Sequence, residues 1–356
     1  MAAILTPEGA IVPRGMAMMS PNGPSRPRGR RYRRTRKSTK STSILALLLV
    51  AVAFAIFWAT AAPREVVPRT VVTNSQWPSP PAIQAASAAV AVNGRLVLDL
   101  NGQIPRPLAS TAKIMTAYLA LQSLKPTDYI VVSHQDLAAT TARQAAEDGV
   151  EAPLLVGEHL TVEQVLQALL LPSANNAAVL LAERTSGSEA AFVDTMNVTA
   201  RQLRLTGAHF VDSSGLGDGT QASTVDMVSL TESAMEEPGF LALVRTRQAT
   251  FPGWGTITNR NQLLFTDPLV VGGKTGNTKA AGDCLILIGQ IRGEYVVAAL
   301  LGEPSWTATY SDGGDILAWA QRALAADASE TSGAAGGGMP TIGRPGFAMS
   351  FRKAST

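Results

Sequence analysis

Apolar and polar positions along this 356-residue chain change period several times, and each change marks an element. Residues 88–92 and 95–100 are short β-rich runs. Between them stands Asn93-Gly94, a dipeptide suited to the two positive φ angles of a type I′ turn, so a hairpin is expected. From Ser110 the apolar residues recur at helical spacing through Leu124. Thr161 with Gln164 has the form of a capping box, which predicts a helix over 162–171. Further helices are expected over 177–183 and 189–203, and one beginning at Thr224 and Asp226 that ends before Pro238. The period then shortens. Residues 269–275, 284–291 and 295–301 are apolar runs of strand character, with Arg292-Gly293 turning the last pair, and 316–324 reads as a closing helix. Strands at both ends with helices between them predict an α/β (α+β) fold. Its core is one antiparallel sheet built from the two ends, carrying a helical insert.

The flanks differ in kind. Residues 1–42 are rich in Pro, Gly, Ser and Arg and are expected to be a disordered basic arm. Residues 43–62 carry no charge, and as a helix they would be about 30 Å long, enough to span a bilayer. With the basic arm before it, the segment reads as a signal anchor with everything after it outside the cytoplasmic membrane. A signal peptide cleaved near Ala59-Thr60-Ala61 is the alternative, and it would leave the remainder secreted. Residues 63–84 read as a Pro-rich linker, 85–325 as the catalytic unit and 326–356 as a second disordered tail. Charge sharpens this division. The net charge is +3, but residues 1–62 hold ten Lys/Arg against one Glu, which leaves −6 on the rest. The basic character belongs to one tail, so no nucleic-acid partner is expected. Cys284 is the only cysteine, and the three histidines are scattered, so neither a disulfide nor a zinc site is expected.

Three short motifs carry the candidate chemistry: Ser110-Thr111-Ala112-Lys113, Ser173-Ala174-Asn175 and Lys274-Thr275-Gly276. A serine hydroxyl attacks only when a base takes its proton. Ser110 and Lys113, three apart at a helix start, lie on one face of the helix. Lys113 is read as the base, neutral at rest because burial or a nearby cation such as Lys274 lowers its pKa. Each pattern alone is weak: Ser350-Phe351-Arg352-Lys353 and Ser20-Pro21-Asn22 match the first two in segments with no expected structure. Context strengthens the second motif, because Ser173 and Asn175 interrupt two apolar helices, where unpartnered polar groups would be costly. Ser173 is assigned proton relay to the leaving amine, and Asn175 the holding of a substrate amide and of Lys113. The bland alternative is a helix break capped by Asn176. Lys274 follows a strand-like run and two glycines. It would attract an anionic substrate, Thr275 would bind its carboxylate, and the backbone amides of Ser110 and Asn277 would form an oxyanion hole. Asp212-Ser213-Ser214-Gly215 reads as a turn bordering the cleft.

The order of the motifs and the wording around them resemble the low-molecular-weight penicillin-binding proteins that are D-alanyl-D-alanine carboxypeptidases. The likeness extends through Leu171-Pro172-Ser173-Ala174-Asn175-Asn176, Met196-Asn197, Ser213-Ser214-Gly215-Leu216 and Gly273-Lys274-Thr275-Gly276-Asn277-Thr278. It implies a five-stranded antiparallel sheet flanked by helices, with a helical subdomain and the active site between them. It implies acylation of Ser110 by the peptide and by penicillin, Lys113 as base, substrate contacts from Asn175, Lys274, Thr275 and Gly276, and no cofactor or metal. Two departures stand out: Asn176 replaces an aspartate common in relatives, and no second β-rich domain follows.

The resulting expectation is a membrane-tethered serine carboxypeptidase that removes the terminal D-alanine from peptidoglycan stem peptides and is inhibited covalently by β-lactams. Its rivals are an endopeptidase acting on cross-links, a β-lactamase and a non-catalytic peptidoglycan-binding module. The β-lactamase needs a deacylating glutamate. The candidates are Glu147, Glu151 and Glu158, and none sits in the E-x-x-L-N wording of those enzymes.

Overall fold

The computed structural model describes residues 77–136 and 149–334, with the backbone alone over 329–334. The basic arm, the apolar segment 43–62, most of the linker and Glu147 lie outside the described residues. Among the described residues no helix is long and apolar enough to cross a membrane.

Among the described residues, eleven strands follow in chain order. β1 (Ser87–Val92) and β2 (Arg95–Leu100) form the expected hairpin, with φ of 45° at Asn93 and 79° at Gly94. The short β3 (Arg106–Pro107) pairs with β6 (Gln221–Ala222), β4 (Tyr129–Val131) with β5 (His159–Thr161), and β7 (Gln248–Phe251) with β8 (Gly255–Thr258). β9 (Val270–Thr278), β10 (Gly282–Ile291) and β11 (Glu294–Glu303) are long, and Arg292-Gly293 turns the last pair with both φ angles positive. The main sheet has the order β2-β1-β11-β10-β9 and its paired strands are antiparallel. The two ends of the domain therefore meet where β1 pairs with β11, and β9 is left at an edge.

Both faces of this sheet are covered, which is why its strands read as continuous apolar runs rather than as alternations. Ala89, Ala91, Leu96, Cys284, Ile286, Ile288, Val297, Ala299 and Leu301 face the helical insert. Their neighbours in the pleat, Ala88, Val90, Leu98, Leu285, Leu287, Val296, Ala298 and Leu300, face a closing helix through Ile316, Leu317, Trp319 and Ala320. The insert holds the helices Lys113–Ser123, Val162–Leu170, Asn175–Ser186, Glu189–Gln202 and Thr224–Met235. Thr161 and Gln164 make the full capping box, each side chain bonded to the other residue's backbone N–H.

Four boundaries differ from expectation. The helix expected from Ser110 begins as a 3-10 turn, Ala109–Ala112, and becomes α-helical at Lys113. The helix expected from residue 177 already includes Asn175 and Asn176, so Asn176 is not its N-cap; both amides have partners elsewhere. The closing helix runs Trp306–Ala334 and takes in residues 326–334 of the segment read as a loose tail. Strong helix formers (Ala325, Ala326, Ala328) carry it on, and Asp327 accepts the Trp77 indole N–H at 3.1 Å. The same contact moves the other boundary. Residues 77–84, read as the end of a linker, are packed: Trp77 meets Trp319 edge-on at 5.0 Å, and Asp312 accepts the Gln84 amide at 2.5 Å. Two aromatic rings and Ile83 make that stretch part of the second core.

Candidate active site

The nucleophile candidate sits in a backbone that is itself unusual. Ala109, immediately before Ser110, has φ of 46°, outside the regions that non-glycine residues usually occupy. Two glycines make room for it. A Cβ on Gly215 would lie 1.9 Å from the Ala109 carbonyl oxygen, and one on Gly276 would lie 2.8 Å from the Ser110 nitrogen. The Asp212-Ser213-Ser214-Gly215 turn thus backs the 3-10 turn directly. It is held there by the Asp212 carboxylate, which accepts from the amides of Ser214 (2.7 Å), Gly215 (2.5 Å) and Gly217 (2.7 Å). Thr116, on the helix behind Ser110, donates its hydroxyl to the Ser213 carbonyl at 2.5 Å.

Helical register then brings the first lysine to the serine. Lys113 Nζ donates to Ser110 Oγ at 2.7 Å and to Asn175 Oδ1 at 2.7 Å, and its side chain is fully buried. Asn175 reaches this position from the first turn of its own helix, where its amide N–H bonds to the Val150 carbonyl. Gly149 makes space for it, since a Cβ there would overlap Asn175 Nδ2 at 2.1 Å. Ser173, with φ of 74°, turns its hydroxyl to the opposite wall and accepts from Lys274 Nζ at 2.9 Å. Lys274 also donates to the Thr275 carbonyl at 2.7 Å. Burial, then the charge of Lys113, then that of Arg260 hold the Lys274 ammonium well below its ordinary pKa of 10.5.

Asn176 shows what its amide does in place of a carboxylate. Its Oδ1 accepts the Ala152 N–H at 2.8 Å and its Nδ2 donates to the Ala152 carbonyl at 2.7 Å, so one side chain satisfies both backbone groups. The Asn176 N–H donates to Glu151 Oε2 at 2.9 Å. Of the glutamates considered for deacylation, Glu151 is therefore committed to the backbone beside the Ser-x-Asn motif, and Glu158 accepts the Leu155 amide at 3.2 Å.

These elements enclose a cleft of about 640 Å³ whose lining includes Ser110, Ser173, Asn175, Thr275, Gly276 and Asn277. All three motifs meet in it, although the last lies 101 residues beyond Ser173. Because β9 is an edge strand, half of its backbone N–H and C=O groups have no ladder partner, and such groups can serve a ligand. The pattern of motifs missed Arg260, Trp306 and Tyr310, which also line the cleft. The two rings stack 5.7 Å apart, and the Tyr310 hydroxyl donates to the Arg260 carbonyl at 3.0 Å. Their i, i+4 spacing at the start of the closing helix was the available signal.

Comparison with known proteins agrees with this geometry. A profile of the D-alanyl-D-alanine carboxypeptidase family matches residues 74–305. A D-alanyl-D-alanine carboxypeptidase of Streptomyces sp. (strain K15) is 33% identical over 235 residues, covering 60% of this chain and 78% of the relative. The carboxypeptidase DacA of Escherichia coli K12 is 29% identical over 241 residues, covering 65% of this chain but only 58% of the relative. The crystal structure of the Streptomyces K15 DD-transpeptidase superposes with a TM-score of 0.63 at 26% identity, covering 68% of this chain and 98% of that one. With the profile spanning well over half of its length, the chain belongs to the D-alanyl-D-alanine carboxypeptidase family of serine peptidases.

Proposed function

We propose that this protein is a serine-type D-Ala-D-Ala carboxypeptidase that trims the terminal D-alanine from peptidoglycan stem peptides. The observation that carries the reading is the position of Lys113 Nζ, 2.7 Å from both Ser110 Oγ and Asn175 Oδ1. An amine so placed can take the Ser110 proton as Oγ bonds to the penultimate D-Ala carbonyl carbon. The developing oxyanion is received by the amides of Ser110 and Asn277. Ser173 accepts from Lys274, which leaves its own hydrogen free to go to the leaving nitrogen as the C–N bond breaks, while the proton Lys113 took from Ser110 returns to Ser173, so that both are neutral in the acyl-enzyme. Lys274 and Thr275 hold the terminal carboxylate, with Gly276 letting β9 approach. Water then attacks the acyl-enzyme and gives a proton to Lys113, neutral again, which passes it to Ser110 Oγ as the ester C–O bond breaks. A β-lactam enters by the same attack and stays as an ester on Ser110.

An amine can replace water as the acceptor, and the likeness to the Streptomyces K15 DD-transpeptidase makes that outcome part of the test. The apolar stretch 43–62 is proposed to anchor the chain in the cytoplasmic membrane, with the cleft outside. Incubation with a fluorescent penicillin and with a pentapeptide, read by mass spectrometry, checks the reading. It should give an adduct on Ser110 and free D-alanine, with the tripeptide-plus-D-Ala transferred to any amine supplied. A folded protein that neither labels nor releases D-alanine overturns it.

A further inference from the structure

Behind Asn277 lies a group of carboxyls that the proposed chemistry does not use. Asn277 Nδ2 donates to Asp283 Oδ1 in a very short hydrogen bond. The two residues face each other across β9 and β10, and Asp283 in turn faces Glu303 across β10 and β11. Asp312, on the closing helix, completes the group and is 1% exposed. Asp312 is well supplied with donors, from the amides of Gln84 (2.5 Å) and Ala85 (3.3 Å). Glu303 is not: it is 2% exposed and, among the described residues, no N–H or hydroxyl donor reaches either of its carboxyl oxygens. A buried carboxyl with no donor is an expensive arrangement unless it carries its own proton.

We propose that Asp283 is a positioning residue for the oxyanion pocket: its hydrogen bond to the Asn277 side chain fixes the strand that presents the Asn277 amide, and the Glu303–Asp312 carboxyl pair behind it governs that hold. The inference rests on the acyl-transfer reading of Ser110 and Asn277. Protonated, Glu303 supplies the missing hydrogen to Asp312 and leaves Asp283 free for Asn277. Ionised, it places a third negative charge beside two others and repels Asp283 from its strand position. Burial first, then the Asp312 carboxylate and a hydrogen bond with it, then Asp283, push the Glu303 carboxyl up to about 8. The thiol and the phenol nearby are pushed away from that range. Burial raises the Cys284 thiol to about 12, and the Tyr310 hydroxyl is also raised, with Asp283 and Arg260 acting on it in opposite senses. Asp283 itself is raised by burial and lowered by its bond with Asn277.

The test measures the acylation rate by a fluorescent penicillin from pH 6 to 9.5 in the wild type, Glu303→Gln, Asp283→Ala and Asp283→Asn. In the wild type, acylation should fall roughly three- to tenfold between pH 7 and 9 through this group. Glu303→Gln, which is neutral at every pH, should lose that component of the fall. Asp283→Ala should be slower by about 10- to 100-fold at every pH, since the oxyanion donor is no longer held. Asp283→Asn keeps an acceptor for Asn277 and should recover most of that loss, which separates positioning from general damage. A Glu303→Gln profile that overlays the wild type, or an Asp283→Ala variant that acylates normally, overturns the proposal. Asp283→Asn as slow as Asp283→Ala overturns it too, and that variant carries the test if Asp283→Ala fails to fold. Wild-type protein that never labels would instead sink the acyl-transfer reading beneath it.

Discussion

Replacing Asn176 by aspartate alters three atoms' worth of chemistry and almost no volume. The side chain is 7% exposed and serves the Ala152 backbone as acceptor and donor at once. A carboxylate keeps the first bond and loses the second. It leaves an oxygen facing the Ala152 carbonyl where a donor stood at 2.7 Å. An unsatisfied buried acceptor costs about 1–3 kcal/mol. The Glu151 carboxylate, already bonded to the Asn176 amide, adds like-charge repulsion of roughly 1–3 kcal/mol at an effective dielectric near 20. One effect opposes these: residue 176 lies in the first turn of the Asn175–Ser186 helix, whose dipole favours a negative charge by about 0.3–1 kcal/mol. The balance is a loss of about 3 kcal/mol at pH 8. By linkage that corresponds to a folded-state pKa raised by about 2 units, to roughly 6. A raised acid binds more protons folded than unfolded. The penalty should therefore be complete above about pH 7 and fade as pH falls toward 4, when the protonated acid can again donate to Ala152. Thermal unfolding of N176D and wild type at pH 5 and pH 8 reads this directly. For a domain of this size the midpoint should drop about 6–12 °C at pH 8 and about half as much at pH 5. Equal midpoints at pH 8, or a gap that ignores pH, would refute the reasoning.

Two further outcomes follow from single contacts. Gly276→Ala should slow acylation by about tenfold, because a Cβ 2.8 Å from the Ser110 nitrogen and 2.9 Å from that of Thr111 must push β9 and the 3-10 turn apart by roughly half an ångström; penicillin acylation at the wild-type rate would contradict that. Cys284, fully buried and with its thiol pushed up to about 12, should ignore Ellman's reagent in the folded protein and react at once in guanidinium; prompt labelling of the native state would show the strand to be open.

What could be read in advance follows the range of the interactions involved. Hairpin turns at Asn93-Gly94 and Arg292-Gly293 and the capping box at Thr161 are local, and each stands where the residue pattern put it. The three motifs were legible because helical spacing joins Ser110 to Lys113, and because polar groups interrupting apolar runs need a shared destination. Long-range pairings left no such trace. Trp77 looks like linker because its partner, Trp319, is 242 positions away. The β7–β8 hairpin escaped because Gln248–Phe251 and Gly255–Thr258 are only four residues each and bury a single apolar side chain apiece, Phe251 and Ile257. Glu303 gave no signal either: a lone glutamate before a proline is ordinary until cross-strand register sets it opposite Asp283.

The fastening of Trp77 has a mechanical consequence. Thirteen residues of helix separate Trp306, at the cleft, from Trp319, so the point where the chain is clasped lies about 20 Å along the helix axis from the rim. A force drawn through the backbone upstream of Trp77 is met there first, by two interlocked indoles and the Trp319 N–H to Pro78 carbonyl bond at 2.8 Å. Past the clasp it would load β1, whose six residues from Ser87 to Val92 all pair with β11, in shear rather than by peeling. A tension on the leading end of the chain thus reaches the serine, the two lysines and the edge strand only after that six-residue ladder has yielded.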